Sequence, residues 1–215
     1  MVFSKIDEAI NDIKRGRFVI VVDDEGRENE GDLVLAAEKA SASKINFMIT
    51  HAKGLVCMPM VGERLDQLNI PPMVSHNDIN RCKFTVSVDH RTETTTGISP
   101  ADRAATIKAL INPASKPQDF LRPGHLFPLR YHEGGVISRQ GHTEASIDLA
   151  RLAGFYPAAI ICEIINEDGS MAKLPDLVSF SEKHNGMKII NIKDLVIYIK
   201  KQNASGKEEK SMIYG

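Results

Sequence analysis

The chain has 215 residues, 42% hydrophobic and 26% charged, and 27 Lys and Arg against 28 Asp and Glu leave a formal net charge of −1. That balance gives no electrostatic basis for binding nucleic acid or an anionic membrane. Cys57, Cys82 and Cys162 lack the spacing of a disulfide or zinc framework, the N-terminus lacks the apolar core of a signal peptide, and no apolar run approaches the about 20 residues of a membrane span, so a cytoplasmic protein is expected.

Phe3, Ile6, Ile10 and Ile13 fall on one helical face, with Gly16 as a stop. Strands are expected at Phe18–Val22 and Asp32–Ala37. Ile45, Met48, Ile49 and Ala52 mark a helix ending near Gly54, and Gly54–Met58 reads as a short buried strand. Residues 61–82 read as irregular, with Pro71-Pro72 against a regular element. Phe84, Val86 and Val88 alternate as in a half-buried strand.

Ser99-Pro100-Ala101-Asp102 is a helix start: Ser99 can cap, Pro100 suits the first position, and Asp102 favours the positive helix end. That helix is expected to run to Ile111. Residues 125–129 and 134–138 read as short strands around Gly134-Gly135, and a helix spans Thr143–Leu152. Ala158–Ile165 is strongly apolar, and Asp168-Gly169 marks a turn. A helix over 175–185, a strand at Met187–Ile190 and a helix through Ile192, Leu195, Val196 and Ile199 complete the list. No repeat or linker interrupts residues 1–200, so one domain is expected there, with a polar tail at 201–215 that frays. Strands and helices mix without strict alternation, which points to an α+β fold with a mixed sheet covered by helices.

Two segments carry chemistry. Asp23–Asp32, DDEGRENEGD, gathers Asp23, Asp24, Glu25, Glu28, Glu30 and Asp32 around Arg27, directly after a strand. Gly26 and Gly31 are expected to let the backbone turn tightly. Crowded carboxylates resist full ionisation unless a cation is shared among them, so the segment reads as a divalent-metal and substrate site; a solvated acidic loop is the alternative.

The second segment, Arg122–Thr143, holds His125, His132, His142, Arg122, Arg130 and Arg139. Arg139-Gln140-Gly141-His142-Thr143 leads into a helix, whose first amides, with Arg139 and the Thr143 hydroxyl, would cradle a phosphate; Thr143 as a plain helix cap is the alternative. His142 is the natural nitrogen ligand to join a carboxylate of the first segment. His125 suits acid–base work or a hydrogen-bonded turn. Glu163, within the apolar run, is either a proton-transfer group or a solvent-facing strand residue. Cys57 reads as a small buried hydrophobe.

Three motif readings fail. An EF-hand begun at Asp23 places Glu28 where the loop needs Gly. His142-Thr143-Glu144 lacks the downstream P-C-x-x-C of zinc deaminases. Neither GxxxxGK[ST] nor GxGxxG is present.

Four stretches, DDEGRENEGDL, FTVSVDHRTETTTGISPADRAATI, RPGHLFPL and GHTEASIDLARLAGFYPAAIICEI, together resemble the 3,4-dihydroxy-2-butanone 4-phosphate synthase family. The resemblance covers residues 3 to about 200 in the same order. It implies a three-layer α+β sandwich with a mixed central β-sheet flanked by helices. It implies a lyase that converts D-ribulose 5-phosphate to L-3,4-dihydroxy-2-butanone 4-phosphate and formate, for riboflavin biosynthesis. Mg2+ or Mn2+, one or two ions per site, would be the cofactor, and a homodimer with active sites near its interface the assembly. Some members carry a GTP cyclohydrolase II domain downstream.

Residue by residue, Glu28 and His142 match the family's metal ligands. Arg27, Asp32, Arg139, Gly141 and Thr143 match sugar-phosphate positions, and Glu28, His142 and Glu163 also border the substrate. His125 and Glu163 match catalytic positions, and Glu30 an active-site acid. Cys57 aligns with a cysteine near the pocket, and Thr94-Thr95-Thr96-Gly97 resembles a mobile loop. The competing readings are a sugar-phosphate isomerase and a non-catalytic protein that binds sugar phosphate and metal.

Overall fold

In a computed structural model, the described residues are 2–74 and 82–213, with side chains as far as Ala204. Among them seven strands and seven α-helices are found. The strands are β1 (Val19–Val22), β2 (Gly31–Ala36), β3 (Cys57–Met60), β4 (Val88–His90), β5 (Phe120–Arg130), β6 (Ala159–Glu163) and β7 (Lys188–Asn191). The helices are α1 (Ile6–Lys14), α2 (Ala42–Phe47), α3 (Gly62–Gln67), α4 (Pro100–Ile111), α5 (His142–Leu152), α6 (Leu174–Lys183) and α7 (Ile192–Ile213).

The strands form one sheet in the order β4-β5-β3-β6-β2-β1-β7. β1 pairs with β7, and β3 with β5, in parallel; the remaining neighbours are antiparallel, so the sheet is mixed. β1, β2 and β3 are buried along their whole length, as strands covered on both faces must be. Alternation along each strand divides the core in two. Ile20, Leu33, Leu35, Met58, Ile160 and Cys162 face the helices α2, α4 and α6 through Ile45, Ile107, Leu110 and Leu177. Val19, Val21, Val34, Cys57 and Ile161 face α1, α5 and α7 through Ile10, Ile13, Ala145, Leu149 and Leu195. The result is the three-layer α+β sandwich the resemblance implied.

Several expectations are corrected. Phe3 lies ahead of α1 and packs on the opposite core cluster from Ile6, Ile10 and Ile13. Residues 61–82 are not wholly irregular, because α3 occupies Gly62–Gln67; residues 75–81 lie outside the described part. The third strand begins at Cys57, later than Gly54. Phe84 and Val86 precede β4, and Phe84 makes only an isolated bridge to Leu129. The stretch 134–138 is a 3₁₀ turn at Gly135–Ile137, while 125–129 belongs to an 11-residue strand. α7 continues past Lys200, with the side chains of 200–204 exposed. No described helix is long and apolar enough to cross a membrane.

Leu35 is fully buried in β2 and packs between the sheet and the α2–α4 layer. Leu35→Ala is expected to lower stability by about 2–5 kcal/mol, read from urea unfolding; a loss below about 1 kcal/mol would contradict this packing.

Candidate active site

β1 ends at Val22 and β2 starts at Gly31, so the acidic segment is the turn between two antiparallel strands. Asp23 governs its shape. Its side chain is fully buried and accepts three hydrogen bonds: from Arg27 Nη1 at 2.8 Å, the Glu28 amide at 3.0 Å and the Glu30 amide at 2.8 Å. The Asp23 amide in turn donates to the Glu30 carbonyl at 3.3 Å. The one left-handed residue of the turn is Asn29 (φ 54°), not Gly26 or Gly31. Gly31 has another reason to be glycine: a Cβ there would stand 2.5 Å from Leu177. Asp24 bonds the Gly26 amide at 2.8 Å on the exposed rim.

The clamped turn presents Glu28 and Glu30. Arg27 donates to Glu28 at 3.0–3.1 Å. Lys173, just ahead of α6, donates to the Glu28 carbonyl at 3.1 Å and lies 3.9 Å from Glu30 Oε1. Burial nonetheless raises the Glu30 carboxyl above its ordinary range, with Lys173 opposing.

α5 starts at His142, behind an N-cap Gly141 whose extended backbone offers no side-chain cap, so its first amides lack intrahelical acceptors. His142 is buried, with Nδ1 4.0 Å from Glu28 Oε2 and Nε2 without a hydrogen-bond partner. An orphaned ring nitrogen in a polar site marks a place for a ligand. Ligand atoms of Asp23, Glu28 and His142 lie within 4.8 Å of one another. Asp23 already uses three of its roughly four lone-pair sites on the turn, which leaves Glu28 and His142 as the better donors for a hard divalent cation.

Arg139 Nη1 bonds Glu144 Oε2 at 2.6 Å. Thr143 does not cap the helix; its hydroxyl lies 3.2 Å from Cys82 Sγ. Across the sheet, Asp32 of β2 stands opposite Glu163 of β6. Asp32 is 3% exposed, and burial pushes its carboxyl up to about 7, with His142 pulling it down and Glu163 up. Glu163 is half-buried, and its Oε2 accepts from the Leu55 amide at 2.8 Å. Arg27, Glu28, Glu30, Asp32, Arg139, His142, Thr143 and Glu163 thus line one cavity of about 290 Å³, with Cys57 and Cys82 in its wall. Cys57 is both a core residue and part of that wall, and burial raises its thiol.

His125 is not among the lining residues. It projects from β5, with its side chain 44% exposed, and is held by Asp89: amide to Oδ1 at 2.9 Å and Nδ1 to Oδ2 at 2.7 Å. Residues 94–97 border this pair and are tied to α4, with Asp102 accepting from the Thr95 amide and hydroxyl and from the Gly97 amide. A larger hollow of about 960 Å³ opens at the other end of β1, around Arg17, Phe18, Phe47 and His184. It holds none of the sequence candidates, so donor chemistry rather than size locates the site.

The family model described as 3,4-dihydroxy-2-butanone 4-phosphate synthase matches residues 7–198. The chain belongs to that family. It is 56% identical over 201 residues to the 3,4-dihydroxy-2-butanone 4-phosphate synthase of Agrobacterium fabrum, covering 93% of this chain and 94% of that protein. It is 59% identical over 198 residues to the riboflavin biosynthesis protein RibBA of Endomicrobium trichonymphae, covering 92% of this chain and 49% of that one. The chain therefore spans about half the length of this and several other curated relatives of the same name. A solved 3,4-dihydroxy-2-butanone 4-phosphate synthase in complex with two magnesium ions superposes with TM-score 0.87 at 42% identity, covering 94% of this chain and 99% of that one. RibBX, a two-domain 3,4-dihydroxy-2-butanone 4-phosphate synthase from A. baumannii, gives TM-score 0.86 at 52% identity, covering 91% and 57%.

Sequence reasoning gives Asp23 no role of its own, whereas in the structure it holds the turn. An acid directly after a buried strand, four residues before an Arg, was the available signal. Lys173, Cys82 and Asp89 were also missed; each meets its partner only through tertiary contact. Asp23→Ala is expected to weaken Mn2+ binding by about tenfold or more by releasing Glu28, as loss of ligand-orienting contacts does. Calorimetric titration checks this, and an unchanged affinity would remove Asp23 from the site.

Proposed function

We propose that the chain converts D-ribulose 5-phosphate to L-3,4-dihydroxy-2-butanone 4-phosphate and formate, the step that supplies the four-carbon unit of riboflavin. The observation that carries this reading is the meeting, in one cavity, of a cation-binding pair, Glu28 and His142, with an anion-binding group, Arg139 and Thr143, and with Asp32 and Glu163. Family membership supports the reaction class.

Mg2+ or Mn2+, one or two ions, would be held by Glu28 and His142, and bound there would supply Lewis acidity to adjacent oxygens of the ketose. Arg139, Thr143, Gly141 and the α5 N-terminus grip the phosphate, whose charge suits a guanidinium and helix amides. That remote grip offsets the cost of fixing the reactive end. Arg27 contacts the substrate from the turn, and Asp32, buried opposite Glu163, can hydrogen-bond a sugar hydroxyl. The chemistry needs one group to take the proton beside the carbonyl and another to assist loss of the C1 hydroxyl. The skeleton then rearranges, and water attack releases C4 as formate. Glu163, Glu30 and His125 supply these proton positions. Asp89 orients His125 by accepting from Nδ1, which leaves Nε2 as the working nitrogen.

His125 stands apart from the cavity, so it acts across a subunit contact or on closure. The exposed Leu121 and Ile98 beside it support a homodimer with that edge at the interface. The setting is taken as cytoplasmic.

Purified protein with D-ribulose 5-phosphate and Mg2+ is expected to release formate, and EDTA to abolish release. An aldose product without formate would favour an isomerase, and binding without turnover a sensor. Glu28→Gln and His142→Ala are each expected to lower kcat by about 100-fold or more. Arg139→Ala is expected to raise KM by about 10–100-fold, the scale of lost charge-assisted hydrogen bonds. Normal turnover in the first two variants, or an unchanged KM in the third, would contradict these assignments.

A further inference from the structure

Arg139 reaches the cavity from an irregular segment, not from a helix or strand. Residues 131–141 join β5 to α5 and contain only a single 3₁₀ turn. Such a segment does not by itself hold a guanidinium to the fraction of an ångström that phosphate recognition needs. Two buried carboxylates on α5 hold it from outside. Glu144, 1% exposed, accepts from Arg139 Nη1 at 2.6 Å through Oε2 and from the His132 amide at 3.2 Å through Oε1. Asp148 accepts from the Tyr131 hydroxyl at 2.9 Å through Oδ1 and from the Val136 amide at 2.9 Å through Oδ2.

Glu144 and Asp148 are four residues apart, so they share one face of α5. Together they fasten the segment at its start (Tyr131, His132), its middle (Val136) and at Arg139. Arg151 extends the ladder, donating to the Tyr131 hydroxyl at 2.9 Å and stacking over that ring at 4.8 Å. Gly141 completes the arrangement. A Cβ there would stand 2.3 Å from Arg139 Nη1 and 2.8 Å from Glu144 Oε2, so the pair passes over a residue that has no side chain. A guanidinium has five N–H donors in a planar fork, a geometry suited to a two-point grip on phosphate.

We propose that Glu144 and Asp148 are positioning residues for phosphate binding, which hold Arg139 in its cavity-facing orientation before the substrate arrives. This rests on the phosphate role given to Arg139 above. Neither carboxylate is among the residues that line the cavity. Both act through the segment, and Glu144 acts directly through the guanidinium.

The test uses the full chain with Mg2+ and two readouts: KM and kcat for D-ribulose 5-phosphate, and the affinity for inorganic phosphate measured by calorimetry. Glu144→Ala is expected to weaken phosphate binding and raise KM by a common factor of about ten, with kcat within about twofold, as loss of one charge-assisted hydrogen bond predicts. Glu144→Gln keeps an acceptor oxygen and is expected to recover most of the loss. In an Arg139→Ala background, adding Glu144→Ala is expected to change phosphate affinity no further, because the two residues act as one unit. Independent, multiplying effects of the two substitutions would overturn the proposal, as would a fall in kcat with KM and phosphate affinity unchanged.

Should Glu144→Ala fail to fold, Tyr131→Phe tests the second anchor, since it removes one of the two bonds by which Asp148 holds the segment and leaves that from the Val136 amide. It is expected to raise both constants about threefold, the scale of one neutral hydrogen bond. Unchanged constants in that variant would overturn the positioning role of the Tyr131–Asp148 bond. Phosphate affinity is read without turnover, so a wild-type chain that binds phosphate but releases no formate fails the reaction reading and leaves this proposal standing.

Discussion

The acidic end of the molecule depends on how one carboxylate is satisfied. Asp23 follows the last residue of β1 and cannot stay buried and charged without donors, which it takes from its own turn: Arg27, and the amides of Glu28 and Glu30. Hydrogen bonds to a charged group are worth about 1.5–3 kcal/mol each, so three of them offset a substantial part of the entropy of ordering the turn. Glu28 and Glu30, which would otherwise repel one another into solvent, are carried to the cavity by their own backbone amides. Lys173 closes the turn from the far side and offsets part of their charge.

The sheet supplies the other half of the geometry. β2 lies between β1 and β6, so the strand that leaves the acidic turn sets Asp32 opposite Glu163. α5 packs across β2, β3 and β6 and brings its first residue, His142, to the same end. Glu28 and His142, Asp32 and Glu163, and a helix N-terminus therefore converge without any long loop. A cavity of about 290 Å³ thus gathers these groups, whereas the larger hollow at the opposite end of β1, itself lined by charged residues such as Asp12, Arg17 and Lys44, holds none of them. His125 is the exception: its strand, β5, lies two places from β6 in the sheet, and its partner Asp89 belongs to the edge strand β4.

Legibility followed the range of the interactions. α4 was readable to the residue because its start signal is local: Ser99 Oγ accepts from the Asp102 amide at 3.1 Å, with Pro100 in the first position. β1, β2 and β6 were readable because burial on both faces leaves a continuous apolar run. β5 was read too short because its register with β4 breaks at Arg122-Pro123-Gly124, and pairing resumes beyond the break, with Leu121 and Phe120 opposite Asp89 and His90. α3, GERLDQ, was missed because it is short and mostly polar; its Arg64 is buried by donating to the carbonyls of Leu110 and Asn112, contacts no local pattern shows. In the site, residue types marked Glu28, His142 and Arg139, but the clamping role of Asp23 and the link of Arg139 to Glu144 require the fold.

In the proposed function, Glu28 and His142 hold the cation while Asp23 holds the turn. Anomalous diffraction from crystals of the protein soaked in Mn2+ tests it directly. A peak is expected within ligand distance of a Glu28 oxygen and a His142 ring nitrogen, with the bonds from Arg27, Glu28 and Glu30 to Asp23 intact. A peak on Asp23 with those bonds broken, or no peak in this cavity, would contradict it.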